Sequence, residues 1–210
     1  MNKLLPVAAL LALTACARDG DFDETGGINA RRSPCPAVAV PAATGDITLF
    51  TVPGREDVGA LDLNATVTNV RSSCSTVGDQ VVTQATFDVV ARRQNAGEAR
   101  EVTLPYFVVV TQGGSAVVSK KVAGVVVRFE PGQVRGSGRG QGSASVSLAA
   151  ATLPADIVAK LQRRRKADDP DASIEPLAAP DVRDAVNRAT FEMLIGFQLN
   201  EAQLRYNATR

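Results

Sequence analysis

Histidine and tryptophan are both absent from the 210 residues, and the aromatic supply is seven phenylalanines and two tyrosines. Without histidine there is no Ser-His-Asp or Cys-His nucleophilic site, and the commonest metal ligand is missing. Three cysteines are present, but no C-x-x-C spacing occurs, so a clustered thiolate site has no basis. Neither sign of charge dominates, with 23 Lys and Arg against 22 Asp and Glu. A balanced chain has little field to steer it towards nucleic acid; no nucleic-acid partner and no cofactor are expected. Long apolar runs are lacking as well. The run from Leu4 to Ala15 falls short of the roughly 20 residues a membrane-crossing helix needs.

What is present begins with that run. Met1-Asn2-Lys3 carries one positive side chain, Leu4 to Ala12 is apolar, and Leu13-Thr14-Ala15 narrows to small residues before Cys16. Charge, apolar core and small-residue site together have the form of a secretory signal. The stretch LTAC, Leu13 to Cys16, resembles the lipobox of bacterial lipoproteins. That resemblance implies a diacylglyceryl group on the Cys16 thiol, cleavage just before it and acylation of the new amine. Each buried methylene contributes roughly 0.8 kcal/mol, so two or three chains hold where one would let go. The residue after the cysteine is Ala17, and aspartate appears only at Asp19. In Gram-negative lipoproteins this pattern implies the outer membrane, facing the periplasm. Lys3 is the only charge before Cys16, so a chain starting at Cys16 has equal numbers of basic and acidic residues.

Cys35 and Cys74 form an even pair in a chain sent to an oxidising compartment, where a disulfide is the first expectation. Closing that loop removes about 4 kcal/mol of unfolded-chain entropy in the simple model. Two separate thiols are the alternative.

From Ala17 to Ser33 the chain is polar, acidic and glycine-containing, a composition suited to a flexible tether. Period two then takes over. In Leu61 to Thr68 every odd residue is apolar and every even one polar, as in a strand with one wet face. Val81 to Ala91 repeats the pattern with Ala85, Phe87, Val89 and Ala91 inward. Val102 to Val110 is a third strand, with Phe107 and Val109 implying burial on both faces or a covering helix. Asp46 to Thr51 is an earlier strand. The segments Asn95–Glu98, Gln112–Gly114 and Pro131-Gly132 supply the turns.

Gln133 to Leu148 places Gly136, Gly138, Gly140 and Gly142 on one face and only polar residues on the other. No phosphate-loop motif is present. The glycines suit a bend or close approach by bulky neighbours better than a ligand groove.

After Leu148 the period becomes helical. One helix follows Pro154, with Ile157, Val158 and Leu161 on one side and Arg163 to Lys166 near its end. A second starts near Pro180-Asp181 and is expected to reach Ile195, with Val182, Ala185, Val186, Ala189 and Met193 as its stripe. Asn200-Glu201-Ala202-Gln203 has the form of a capping box for a last helical turn.

The expected fold is therefore mainly β: an antiparallel, immunoglobulin- or fibronectin-III-like β-sandwich with two or three carboxyl-terminal helices packed on it. The expected organisation is a signal at 1–15, a tether at 16–33, the sandwich at 34–150 and a helical extension at 151–210. Asp181 with Asp184, and Glu130 near Arg128, are the carboxylates that invite an acid/base reading, but such a pair needs a cleft and a perturbed pKa. The expected role is non-catalytic: an envelope lipoprotein held to the membrane through Cys16 and contacting an envelope protein partner. A cell-wall or carbohydrate-binding module is the alternative.

Overall fold

The computed structural model describes residues 32–163, 166, 168–170 and 173–209. Cys16, the signal and nearly all of the tether lie outside the described residues. The fold is mainly β, with strands β1 (Ala37–Ala39), β2 (Asp46–Phe50), β3 (Leu61–Val77), β4 (Gln80–Arg93), β5 (Arg100–Gln112), β6 (Ala116–Phe129) and β7 (Arg135–Ser147). Helices α1 (Ala155–Gln162) and α2 (Pro180–Ala189) follow, then strand β8 (Phe191–Phe197) and helix α3 (Glu201–Thr209).

All eight strands belong to one hydrogen-bonded sheet, ordered β1-β8-β5-β6-β7-β4-β3-β2. This corrects the expected sandwich of two stacked sheets. The chain buries its apolar faces by curling a single sheet into a half-barrel, because its central strands run 13 to 17 residues and twist cumulatively. Neighbours are antiparallel except β1 and β8, which run parallel. The inward set on β4 is Val81, Thr83, Ala85, Phe87, Val89 and Ala91, all buried, as alternation requires. On β7 the even residues face in and the odd ones face out, matching the glycine face read from the sequence. Val108, Val109 and Val110 of β5 are all buried, and α2 packs against this strand.

Curling brings the two edges of the sheet together. Cys35, two residues before β1, is bonded to Cys74 of β3, with Cα atoms 6.1 Å apart. At the other end the Phe197 N–H donates to the Thr44 carbonyl at 2.8 Å, and the Val67 N–H to the Gly45 carbonyl at 2.8 Å. Helix α3 covers β2: the Asn207 side-chain amide donates to the carbonyls of Ala43 (2.9 Å) and Asp46 (2.7 Å). The Tyr206 ring meets Phe50 edge-on at 5.4 Å.

The second helix ends at Ala189 rather than Ile195, and Met193 belongs to β8. Phe191, Met193, Ile195 and Phe197 are all buried. Their period of two, and the slot between β1 and β5, outweigh the helical spacing that links Ala189 to Met193. The segment after residue 151 thus contributes an interior strand as well as helices. The capping box is formed: the Asn200 N–H donates to Gln203 Oε1 (3.0 Å) and the Gln203 N–H to Asn200 Oδ1 (2.8 Å). It opens a helix of nine residues rather than a single turn. Ile157, Val182, Ala185 and Val186 form a small second core between α1 and α2.

Candidate functional site

The sheet is continuous in order but split in one place. β5 pairs with β6 from Arg100↔Phe129 to Gln112↔Ala116, and β4 with β7 from Gln80↔Ser147 to Arg92↔Arg135. Between β6 and β7 the ladder holds just two register pairs, Arg128↔Ser137 and Phe129↔Gly136. From there the strands diverge. An antiparallel strand directs its peptide groups alternately to either side, so about half of those on β6 from 116 to 124 face this gap with no strand among the described residues to meet them.

Glycine lets the two backbones stay close one step beyond the last register pair. A Cβ on Gly138 would lie 2.3 Å from the Val126 carbonyl oxygen, so the backbones cross more closely than any side chain allows. One pair further on, a Cβ on Gly140 would strike the Phe87 ring at 2.2 Å. That ring packs edge-on against Tyr106 at 5.0 Å, and the Tyr106 hydroxyl donates to the Gln141 carbonyl at 2.6 Å. Beyond this point a cleft of about 390 Å³ opens between the strands, with Tyr106, Val108, Lys121, Ala123, Gln141 and Gly142 among its lining residues.

The rim of the cleft is apolar and basic. Val117, Val118 and Val122 are each more than half exposed, and Val126 is 38% exposed. Neither β6 nor β7 contains an acidic residue, while together they carry Lys120, Lys121, Arg128, Arg135 and Arg139. Arg128 pairs with Glu101 of β5 at 2.6 Å and Arg139 with Asp88 of β4 at 3.0 Å. The Lys120 ammonium sits 5.7 Å from the Phe107 ring centre. Lys121 and Arg135 form no ion pair among the described residues.

The closed end of the split is held by Arg93, which is 5% exposed. Its guanidinium donates to the carbonyls of Gln133 (2.7 Å), Glu98 (2.8 Å), Gly97 (3.0 Å) and Glu130 (3.3 Å), and lies 5.3 Å from the Phe129 ring centre. A buried cation satisfied by carbonyls and an aromatic face binds two turns to one strand end. Sequence reasoning passes over Arg93, since one arginine at a strand end looks like a solvated charge. The split has a fainter signal. The inward phase of β6 holds Val125, Val127 and Phe129 near its end but Ser119 and Lys121 earlier, so the strand leaves the core as it is read backwards.

A second concavity of about 580 Å³ lies where the described chain begins, lined by Arg32, Cys35, Leu153, Val158, Leu161 and Phe191 among others. Arg32 Nη2 is 3.4 Å from Thr190 Oγ1.

The other residues singled out in the sequence fall as follows. Cys35 and Cys74 are joined. Asp181 is paired with Lys160 at 2.6 Å on an exposed surface, and this hydrogen bond holds its carboxyl below the usual range. Asp184, three residues along α2, is exposed. Arg128 hydrogen-bonds Glu101 rather than the neighbouring Glu130. Arg163 pairs with Asp169 across the turn after α1 at 3.3 Å. Asp62 is lowered by hydrogen bonding from Arg100, and Asp88 by Asn69 and then Arg139. Asp62, Asp88 and Asp181 are thus all held in the charged form, opposite to what a general acid needs. Among the described residues no group of His, Cys, Asp and Glu could hold a metal ion, and no helix is long and apolar enough to cross a membrane.

Compared with protein-family models, curated proteins and solved structures, the chain finds no match.

Proposed function

We propose that this protein is a lipid-anchored envelope lipoprotein, facing the periplasm from the outer membrane, whose role is non-catalytic protein interaction. The anchor rests on the lipobox-like LTAC ending at Cys16. The disulfide suits an oxidising compartment. The interaction role rests on one observation: a length of β6 edge that no strand among the described residues covers, flanked by the exposed Val117, Val118 and Val122. The facing edge of β7 beyond Ser137 also lacks a strand partner among the described residues, but it is rich in glycine and serine rather than apolar, whereas β8 is covered by β1 and β2 by α3. The outer side of β3 beyond Val67 is interrupted by a bulge near Asn69 and tied to Cys35. An uncovered edge with apolar neighbours is a surface for another chain.

The experiment is membrane fractionation and crosslinking of the native protein against a Cys16→Ser variant. The wild type should float with vesicles, carry the lipid mass and crosslink reproducibly to an envelope protein. The variant should be soluble and lack the mass. A Cys16→Ser variant that still floats overturns the anchor. A delipidated protein that pellets with purified cell wall and yields no crosslinked partner overturns the interaction role in favour of wall binding.

A further inference from the structure

We infer that the open edge of β6, residues 116–124, accepts an extended segment of a partner protein as an added strand, and that this segment alternates apolar with acidic side chains. The inference deepens the interaction reading of the same edge, and it does not depend on the lipid anchor.

Three observations carry it. The first is backbone chemistry. Strand β6 is held along its whole length by β5, so its free edge is presented rigidly rather than frayed. An incoming strand would find preformed donors and acceptors, which is the basis of strand addition to exposed sheet edges. The second is side-chain chemistry. An added strand places alternate residues on opposite faces. On the outer face it would run beside Val118 and Val122, which are already exposed. On the inner face it would meet Lys121 and Ala123 at the cleft.

The third is charge. Both walls of the gap are free of carboxylates, and Lys121, which lines the cleft, has no ion pair among the described residues. Two copies of β6 paired antiparallel through their centres would bring Lys120 and Lys121 of one close to those of the other, and like charges opposed across a sheet are destabilising. An acidic strand turns the same side chains into attraction, and the lysines then discriminate against wrong partners as well.

The test uses the full chain, purified in detergent, and fluorescein-labelled decapeptides of alternating valine and glutamate or alternating valine and lysine. The glutamate peptide should bind at least tenfold more tightly than the lysine peptide. Its binding should slow hydrogen exchange of the gap-facing β6 amides between residues 116 and 124, those that do not donate to β5. Lys120→Glu with Lys121→Glu, both at exposed positions, should invert the preference, and that inversion also shows that the variant is folded. The proposal is overturned if the glutamate peptide does not bind, if it binds while the gap-facing β6 amides stay unprotected, or if charge reversal leaves the preference unchanged. It is also overturned if the gap-facing amides, those that do not donate to β5, are already protected without peptide. Protection lost on dilution would assign the edge to a second copy of the chain; protection lost on deleting residues 17–31 would assign it to the chain's own amino-terminal segment. None of these outcomes bears on whether Cys16→Ser leaves the membrane, so the two readings fail separately.

Discussion

Breaking the Cys35–Cys74 bond should lower stability by an amount the structure lets one work out. The two residues are 39 apart in sequence, and a crosslink closing a loop of that size removes about 13 cal/mol/K from the unfolded ensemble, or about 4 kcal/mol at 25 °C. In the folded state the bond joins the segment before β1 to β3 across the line where the curled sheet meets itself, so the ends it holds are already neighbours. The whole effect should then sit in the unfolded chain. With a urea dependence of about 2 kcal/mol per molar, the midpoint should fall by about 2 M. The melting temperature should drop by about 8–16 °C for a domain of this size. Equilibrium urea unfolding, followed by circular dichroism, would compare oxidised protein, the same protein in reductant, and Cys35→Ala with Cys74→Ala. Reduction keeps both sulfur atoms in place, so it isolates the crosslink from side-chain packing. The slope should stay the same or rise slightly, because an uncrosslinked unfolded chain exposes more surface. A midpoint that moves by less than about 0.5 M in reductant would refute the entropic argument. So would a smaller slope, which would mean that the reduced protein has already parted along the line the bond closes.

Other consequences concern the split and the surface pairs. Arg93→Met strands four carbonyls and should cost about 3–5 kcal/mol in thermal unfolding, with Arg93→Lys intermediate because an ammonium reaches fewer acceptors; a loss under about 1 kcal/mol from Arg93→Met would show the node to be idle. Gly138→Ala drives a Cβ into the Val126 carbonyl and should destabilise by about 2 kcal/mol or more. Gly97→Ala, whose Cβ would find its nearest neighbour at 4.0 Å, should be near neutral, and equal effects in the two variants would refute the crossing geometry. Asp62 is depressed in the folded state by Arg100, so the stability this pair contributes is fully present above the unfolded carboxyl value near 3.9 and is lost as pH falls through the lower folded value. Arg100→Gln should bring the Asp62 titration, read by NMR, back up towards the ordinary range; an unmoved titration would mean that Arg100 is not the cause.

Much of the sheet is legible in the amino-acid sequence. The alternation at Leu61–Thr68 and Val81–Ala91 reports which face is buried, because a strand's side chains alternate with a period of two and solvent sorts them. The glycine face of β7 is readable for the same reason, and the capping box at Asn200–Gln203 because its partners are local. The strand Phe191–Phe197, by contrast, reads along the chain as the end of α2. Apolar residues at 185, 186, 189 and 193 satisfy a helical stripe as well as an isolated strand pattern does, and only the slot between β1 and β5 decides between them. The short strand β1 leaves no mark in the sequence, because three residues carry no period at all.

Local chemistry written along the chain thus determined the strands' inner faces, the turns and the caps, and it named the cysteine pair without showing what the pair would hold together. Tertiary structure alone decided that eight strands form one curled sheet rather than two stacked ones. It also decided that the cysteines fasten the sheet's edges to each other, that Arg93 is buried among carbonyls, and that β6 and β7 part company. The physical reason is range. Alternation and capping arise between residues a few positions apart, whereas which edge is left uncovered depends on every pairing made elsewhere in the sheet.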